Sequence, residues 1–204
     1  MMTLNQPSHQ DSELVGLIAR CKQGDQEAFG QLYHRYAAML YRLAYGILLD
    51  EQDTEDVLQE AFSYAFRNLD LYDPARGEFR TWLYTITVSR CRNMRRRKRL
   101  PTIELSNLLA IGQEPADTRR NTPEAALARR GVRTALEQAL ESLSPRLREA
   151  VILRYGQGLT YREMAEVLDC PQKTAESRIR LAHEALNRAL GQSGEQLLEE
   201  LWSF

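Results

Sequence analysis

The sequence predicts an all-α protein of two small helical domains joined by a flexible linker, with a helix-turn-helix in the second domain. Apolar residues recur at spacings of three and four along most of the chain, which is typical of amphipathic helices. Residues 101–123 interrupt this pattern with prolines, a glycine and small polar residues, as a linker does. Residues 160–186 place two helical patterns on either side of a short break. The expected domains are therefore 11–100 and 124–190, followed by a tail at 191–204.

The first domain is predicted to contain four helices. The second of them is long and amphipathic, with apolar residues at helical spacing from Phe29 to Ile47. Asp53 stands where an N-cap is expected for the third helix. Pro74 and Gly77 mark turns in the loop before the fourth. The helices are expected at residues 11–22, 25–48, 54–69 and 79–99, and the loop at 70–79.

The second domain is predicted to open with two short helices. Leu136, Leu140 and Leu143 mark the first of them. Ser144 then provides an N-cap and Pro145 a proline at the first helical position, so a new helix begins there. This helix is expected to end at the glycines that follow Tyr155.

The helix-turn-helix is predicted at residues 160–186. Thr160 can cap its first helix, with Glu163 as the capping-box partner, and Pro171 begins the second. The second helix has one apolar stripe, at Ala175, Ile179, Ala182 and Leu186. Its other face is polar, with Lys173, Glu176, Ser177, Arg180 and Glu184. Such a pair presents its second helix to the major groove of DNA, although an ordinary helical hairpin is the alternative.

Residues 79–99 are strongly basic and contain no acidic residue. The basic residues are Arg80, Arg90, Arg92, Arg95, Arg96, Arg97, Lys98 and Arg99. Phe79, Trp82 and Tyr84 lie at the start of this stretch, with Tyr72 just upstream. Basic residues attract phosphate, and aromatic rings offer stacking surfaces to unpaired bases. A solvated charged face is the alternative for the arginines, and core packing is equally open for Trp82.

The charge of the chain is high but nearly balanced, at 27% charged residues and a net charge of −1. Nucleic-acid binding must therefore come from the segregation of charge along the chain. Residues 50–60 are acidic, in contrast to the basic stretch. Their acids are Asp50, Glu51, Asp53, Glu55, Asp56 and Glu60.

Several classes of protein are not indicated by the sequence. Cys21, Cys91 and Cys170 are far apart, and no cysteine or histidine spacing matches a metal site, so we expect neither a disulfide framework nor bound metal. No apolar run is long enough for a membrane span, and the polar N-terminus lacks a signal-peptide pattern. No phosphate loop or nucleophile–base pair indicates an enzyme. We expect a cytoplasmic protein without a cofactor.

Four segments, taken in order, resemble the extracytoplasmic-function (ECF) group of bacterial RNA polymerase sigma factors. The resemblance runs from about residue 13 to residue 190, with only the linker unmatched. AFGQLYHRYAAMLYRLAYGIL is similar to the first long helix of the promoter-melting domain, and DTEDVLQEAFSYAFRNL to the helix that docks on the polymerase clamp. FRTWLYTITVSRCRNMRRRKR is similar to the helix that faces the −10 element, and LSPRLREAVILRYGQGLTYREMAEVLDCPQKTAESRIRLAHEAL to the domain that reads the −35 element.

The resemblance implies a sigma factor that binds core RNA polymerase, recognises the −10 and −35 promoter elements and helps to open DNA. Its implied partners are the clamp and flap regions of the polymerase, promoter DNA and an anti-sigma factor. A stand-alone helix-turn-helix regulator is the alternative. It would account for residues 124–190 but not for the acidic and basic helices that precede them.

The resemblance also implies roles for particular residues. Polymerase docking is assigned to Asp56, Gln59, Glu60 and Ser63, although acids near a helix start also simply favour the helix dipole. Contacts to the −10 element are assigned to Tyr72, Phe79, Arg80, Trp82, Ser89, Arg90, Asn93, Arg96 and Arg97. Contacts to the −35 element are assigned to Lys173, Thr174, Glu176, Ser177, Arg178 and Arg180.

The chain departs from the pattern of this family in both of its DNA-facing helices. Ser89 replaces a usual asparagine and Asn93 a usual aspartate in the −10 helix. Glu176 stands where a basic residue is common in the recognition helix, and Leu181 replaces a frequent arginine. A glutamate can accept from a cytosine amino group but cannot bind the acceptors of guanine. The usual −35 preference therefore does not follow for this chain.

Overall fold

The computed structural model describes residues 9–99, 134 and 136–190, and within these ranges the chain is all-α, as predicted. The helices are α1 (His9–Lys22), α2 (Gln26–Leu48), α3 (Glu51–Arg67), α4 (Phe79–Arg99), α5 (136–142), α6 (Pro145–Val151), α7 (Tyr161–Leu168) and α8 (Gln172–Leu190). A 3-10 turn at Leu69–Leu71 and a π-helical turn at Ile152–Gly156 complete the helical structure of the described residues. The expected linker at 101–123 and the tail at 191–204 lie outside them.

Helices α1 to α4 form the first half of the molecule, in which α2, α3 and α4 pack on one another. The apolar stripe of α2 is fully buried at Leu32, Leu40 and Leu43. Asp25 caps this helix, and its carboxylate accepts from the backbone N–H groups of Glu27 and Ala28. The amphipathic pattern of the sequence thus produces a helix whose buried face is the centre of this half.

Helix α3 begins earlier than the sequence predicts, because Asp50 and not Asp53 is its N-cap. Asp50 has an extended backbone, and its carboxylate accepts from the N–H of Asp53 at 2.8 Å. Asp53 lies within the first turn, where its carboxylate is 2.6 Å from Lys98 Nζ. The expected cap was therefore wrong, because Asp50 caps the helix one turn earlier by accepting from the N–H of Asp53.

Helices α5 to α8 form the second half and contain the predicted helix-turn-helix. The stripe Ala175, Ile179, Ala182 and Leu186 is buried, which confirms the predicted register of α8. Asp169 ends α7 in the left-handed region, with φ of 51°, and this residue turns the chain toward α8. Thr160 and Glu163 form a complete capping box at the start of α7, as predicted. Ser144 is the N-cap of α6, although its side chain makes no capping hydrogen bond.

Replacing Thr160 with alanine is expected to destabilise the second half by about 1 kcal/mol, the usual cost of losing an N-cap. Thr160 also holds the pKa of Glu163 below its usual range by hydrogen bonding. The contribution of the ionised Glu163 to the free energy of unfolding is therefore complete above the ordinary pKa of glutamate. It is lost as the pH falls through the lowered pKa of the folded state. Urea unfolding at two pH values measures both effects. Thr85→Ala, on the exposed face of α4, is the control, and equal losses in the two variants would contradict the capping role.

The two halves pack against each other, which the sequence did not predict. Helices α2 and α4 contact α6, α7 and the π-helical turn. The hydroxyl of Tyr84 donates to Gln157 Oε1 at 2.9 Å across this boundary. A Cβ atom at Gly46 would lie 2.7 Å from Ile152 Cδ1, so any larger residue would require the buried Ile152 side chain to move. We call this packing the closed arrangement.

Candidate nucleic-acid interface

Helix α4 carries its basic side chains on two faces, and the first of these faces the second half of the molecule. Arg92 donates through Nε and Nη2 to Glu149 Oε2, at 3.1 and 2.8 Å. Arg95 donates through Nη2 to Glu149 Oε1. Glu149 is only 1% exposed, so one buried carboxylate of α6 pairs with two arginines of the basic helix. Arg92 and Arg95 belong to the basic stretch that is predicted to attract phosphate, but none of these three residues is among those that the resemblance assigns to a site.

The second basic face of α4 lies beside the acidic helix α3. Arg97 Nη1 is 2.8 Å from Glu60 Oε1, so a residue assigned to DNA pairs with one assigned to polymerase docking. The Arg90 guanidinium lies over the Tyr64 ring, 4.4 Å from its centroid. Arg97 is 60% exposed, and an ion pair of this kind contributes only about 0–1 kcal/mol. A phosphate group can therefore displace Glu60 at small cost.

The docking residues form a strip along α3. Asp56 and Gln59 are exposed, whereas Glu60 and Ser63 are half-buried. Arg67 donates to the backbone carbonyl and to the hydroxyl of Ser63, which leaves Asp56 and Gln59 as the accessible pair. A groove of about 670 Å³ between α3 and α4 is lined by docking residues and by −10 residues together.

The aromatic residues before and within α4 form a cluster, and Phe79 is at its centre. Phe79 is 1% exposed, with ring centroids 5.4, 5.0 and 5.5 Å from those of Tyr36, Tyr72 and Trp82. In this arrangement Phe79 is a core residue, and its assignment to DNA contact stays a prediction. Tyr72 and Trp82 are half-buried and retain some accessible ring surface.

A groove of about 860 Å³ runs beside the loop 70–79. Tyr72 lines it, and the Tyr72 hydroxyl donates to the carbonyl of Gly77 at 3.2 Å. Arg80 lines it too and lies 2.8 Å from Glu78 and 3.5 Å from Glu163 of the second half. The groove thus combines an aromatic wall with a cation held by two acids, and it is open to solvent at the loop.

Helix α8 presents a polar face away from the core. Lys173, Glu176, Ser177 and Arg180 are exposed, and Thr174 and Arg178 are half-buried. Glu176 Oε1 accepts from Gln172 Nε2 at 2.9 Å, and Arg180 pairs with Glu184 one turn further on. Leu181 is 43% exposed on this helix.

Clusters of metal-ligand side chains and the state of the cysteines can be read directly in the described ranges. No group of three or more histidine, cysteine or acidic side chains there is placed to hold a metal ion. Cys21, Cys91 and Cys170 are free cysteines, and burial raises the pKa of the Cys91 thiol to about 12. No helix in those ranges has the length and apolar character that a membrane crossing requires.

Comparison with known proteins identifies the class of this chain. Residues 32–100 match the Sigma-70 region 2 family, and residues 133–186 match the family described as Sigma-70, region 4. The chain belongs to the sigma-70 family of RNA polymerase sigma factors, within its ECF group, as the sequence indicated. It is 34% identical over 180 residues to the RNA polymerase sigma-H factor of Pseudomonas aeruginosa, covering 85% of this chain and 92% of that protein. It is 35% identical over 177 residues to the ECF RNA polymerase sigma-E factor of Escherichia coli K12, covering 84% and 91%.

Solved structures show the same fold. CnrH, solved in complex with the cytosolic domain of CnrY, matches with a TM-score of 0.62 and 30% identity, covering 85% of this chain and 94% of that chain. RpoE of Bartonella quintana in complex with the anti-sigma factor NepR matches with a TM-score of 0.60 and 22% identity, covering 80% and 97%. The second likeness concerns the fold alone.

Proposed function

We propose that this sigma factor binds core RNA polymerase, recognises the −10 and −35 promoter elements, and opens DNA by binding and not by catalysis. The observation that carries the proposal is the order of three surfaces in a chain of this family. An exposed acidic strip on α3 is followed by the basic helix α4 and then by the exposed polar face of α8.

The accessible docking residues of α3 are proposed to bind the clamp of the polymerase. Asp56 and Gln59 are exposed, and charge complementarity would steer this strip toward a basic surface. Glu60 and Ser63 lie one turn further along and are engaged by Arg97 and Arg67. Docking through them would release Arg97 toward DNA.

The outer face of α4 is proposed to hold the −10 element. Ser89 and Arg96 are exposed, and Arg90, Asn93 and Arg97 complete the same face. Basic side chains there would bind backbone phosphates, while Tyr72 and Trp82 would stack on an unpaired base. Arg80, at the end of the groove beside the loop 70–79, would contact the same strand.

Helix α8 is proposed to read the −35 element through the exposed Lys173, Glu176, Ser177 and Arg180 and the half-buried Thr174 and Arg178. If Glu176 accepts from a cytosine, Glu176→Ala is expected to relax the preference at one base pair by about 1–3 kcal/mol. If Glu176 only lies near phosphate, Glu176→Lys should raise the affinity for every −35 sequence in a salt-dependent way. Selection from a −35 library measures both. Unchanged affinity and preference in Glu176→Ala would mean that another face of α8 contacts DNA.

An anti-sigma factor is proposed as a further partner. RpoE of Bartonella quintana, whose fold this chain shares, was solved with the anti-sigma factor NepR. The flap of the polymerase is proposed to hold the second half, and the site of action is the cytoplasm, where promoter DNA and polymerase meet.

Run-off transcription on a promoter library tests the proposed function. The isolated chain is expected to bind duplex promoter weakly, and addition of core polymerase should give promoter-specific open complexes. The polymerase alone is the control. Tight, sequence-specific duplex binding by the chain alone, with no transcript in the presence of core polymerase, would favour a stand-alone helix-turn-helix regulator.

A further inference from the structure

A pocket of about 480 Å³ lies between the two halves of the molecule. Five arginines from three helices line it, namely Arg92, Arg95 and Arg96 of α4, Arg146 of α6 and Arg178 of α8. Pockets of this size hold small molecules, since ligand sites in proteins span about 300–1,000 Å³. The pocket exists only in the closed arrangement, because both halves contribute its walls.

The charge in this pocket is not balanced. Glu149 and Asp169 are the acidic residues in its lining, against the five arginines. Glu149 is already shared by Arg92 and Arg95. The other three arginines, Arg96, Arg146 and Arg178, make no ion pair with any residue in the described ranges. The lining of this pocket therefore has more positive than negative side chains.

Two guanidinium groups in the pocket also have unused donors. The Nη1 atoms of Arg95 and Arg178 are buried, and neither has a hydrogen-bond acceptor among the residues that the structure describes. Buried charged donors are normally satisfied, because leaving one unpaired is costly. Arg95 belongs to the first half and Arg178 to the second, so an acceptor between them would join the halves.

We propose that this pocket binds a small anion with two linked phosphate groups, such as the diphosphate of a nucleotide, and that the anion stabilises the closed arrangement. A diphosphate offers many acceptor oxygens, which match the paired N–H donors of arginine. Its negative charge offsets the excess positive charge of the lining. Phosphates of a DNA backbone are the other source of the same chemistry. Arg96 and Arg178 are also assigned to promoter DNA, whereas Arg146 is not, so a change at Arg146 tests the pocket separately from promoter recognition.

Isothermal titration calorimetry of the full chain with inorganic pyrophosphate, at constant ionic strength, tests the proposal. We expect saturable binding, at least tenfold tighter than that of orthophosphate, and a higher midpoint of thermal unfolding with pyrophosphate present. Arg146→Gln is expected to weaken binding at least tenfold while the midpoint without pyrophosphate stays unchanged, since Arg146 is exposed. Arg162→Gln, an exposed arginine of α7 outside this pocket, is the matched control and should bind normally.

Three results would overturn the proposal. The first is the absence of saturable pyrophosphate binding, and the second is equal affinity for pyrophosphate and orthophosphate. The third is an equal loss of binding in Arg146→Gln and Arg162→Gln, which would indicate attraction by overall charge. A short DNA duplex that displaces pyrophosphate, and that loses affinity through Arg146→Gln as well, would identify nucleic acid as the natural occupant instead.

Discussion

Replacing Glu149 with glutamine is expected to separate the two halves of the chain. Its carboxylate is 1% exposed and accepts from both Arg92 and Arg95, and an amide of the same shape cannot balance their charges. Hydrogen bonds to charged groups contribute about 1.5–3 kcal/mol, so the closed arrangement should lose stability of this order. Small-angle scattering should show a larger radius of gyration, and Arg92 and Arg95 would become available to DNA phosphates.

Glu184→Gln is the control for the Glu149 variant, since it makes the same chemical change in an exposed pair with Arg180. Exposed pairs contribute only about 0.2–1 kcal/mol, so the scattering curve should not change. Circular dichroism should report the same helical content for both variants and the parent chain. An unchanged radius of gyration in Glu149→Gln would mean that apolar packing alone maintains the closed arrangement.

The double change Asp56→Lys and Gln59→Lys is expected to weaken binding to core polymerase at least tenfold at low salt. Both side chains are exposed on α3, so the change makes the accessible part of the strip basic and leaves the core untouched. Like charges at an interface cost several kcal/mol. The loss should shrink as salt rises, because the screening length is only about 10 Å at 0.1 M. Fluorescence titration of labelled chain with core polymerase at two salt concentrations measures it.

Glu27→Lys is the matched control for this docking prediction. Glu27 is an exposed acid of α2 that lies outside the docking strip, so its reversal changes the charge of the chain without changing that strip. Equal losses in both variants would mean that overall charge, and not the α3 strip, determines the affinity for polymerase. Glu60 is left unchanged because it pairs with Arg97. A change at Glu60 would therefore release a residue assigned to DNA as well as alter the docking strip.

Features set by short-range sequence patterns could be predicted. The capping box at Thr160 and Glu163 depends on four consecutive residues, and the buried stripe of α8 depends on one helical period. The cap of α3 was misplaced because Asp50 and Asp53 are chemically equivalent candidates. Only the backbone conformation at Asp50 distinguishes them.

The contacts between the halves could not be predicted in the same way. Arg92 and Glu149 are separated by 57 positions, and no local pattern connects them. One signal was present: Glu149 is an acid immediately followed by the apolar run Ala150 to Leu153, where a buried charge needs a partner. The burial of Phe79 was missed for a related reason, because an aromatic residue beside basic residues suits both a core and a stacking surface.

The closed arrangement depends on steric packing at Gly46 as well as on the ion pairs of Glu149. A methyl group there would displace the buried side chain of Ile152 whatever the ionic strength, whereas the arginine pairs of Glu149 weaken as salt is added. Alanine at Gly46 also favours α2 itself by about 1 kcal/mol, because glycine is a poor helix former. Alanine at this position therefore disfavours the contact between the two halves by steric clash, and at the same time it stabilises α2. The two halves could thus be driven apart in a chain whose every charge is intact.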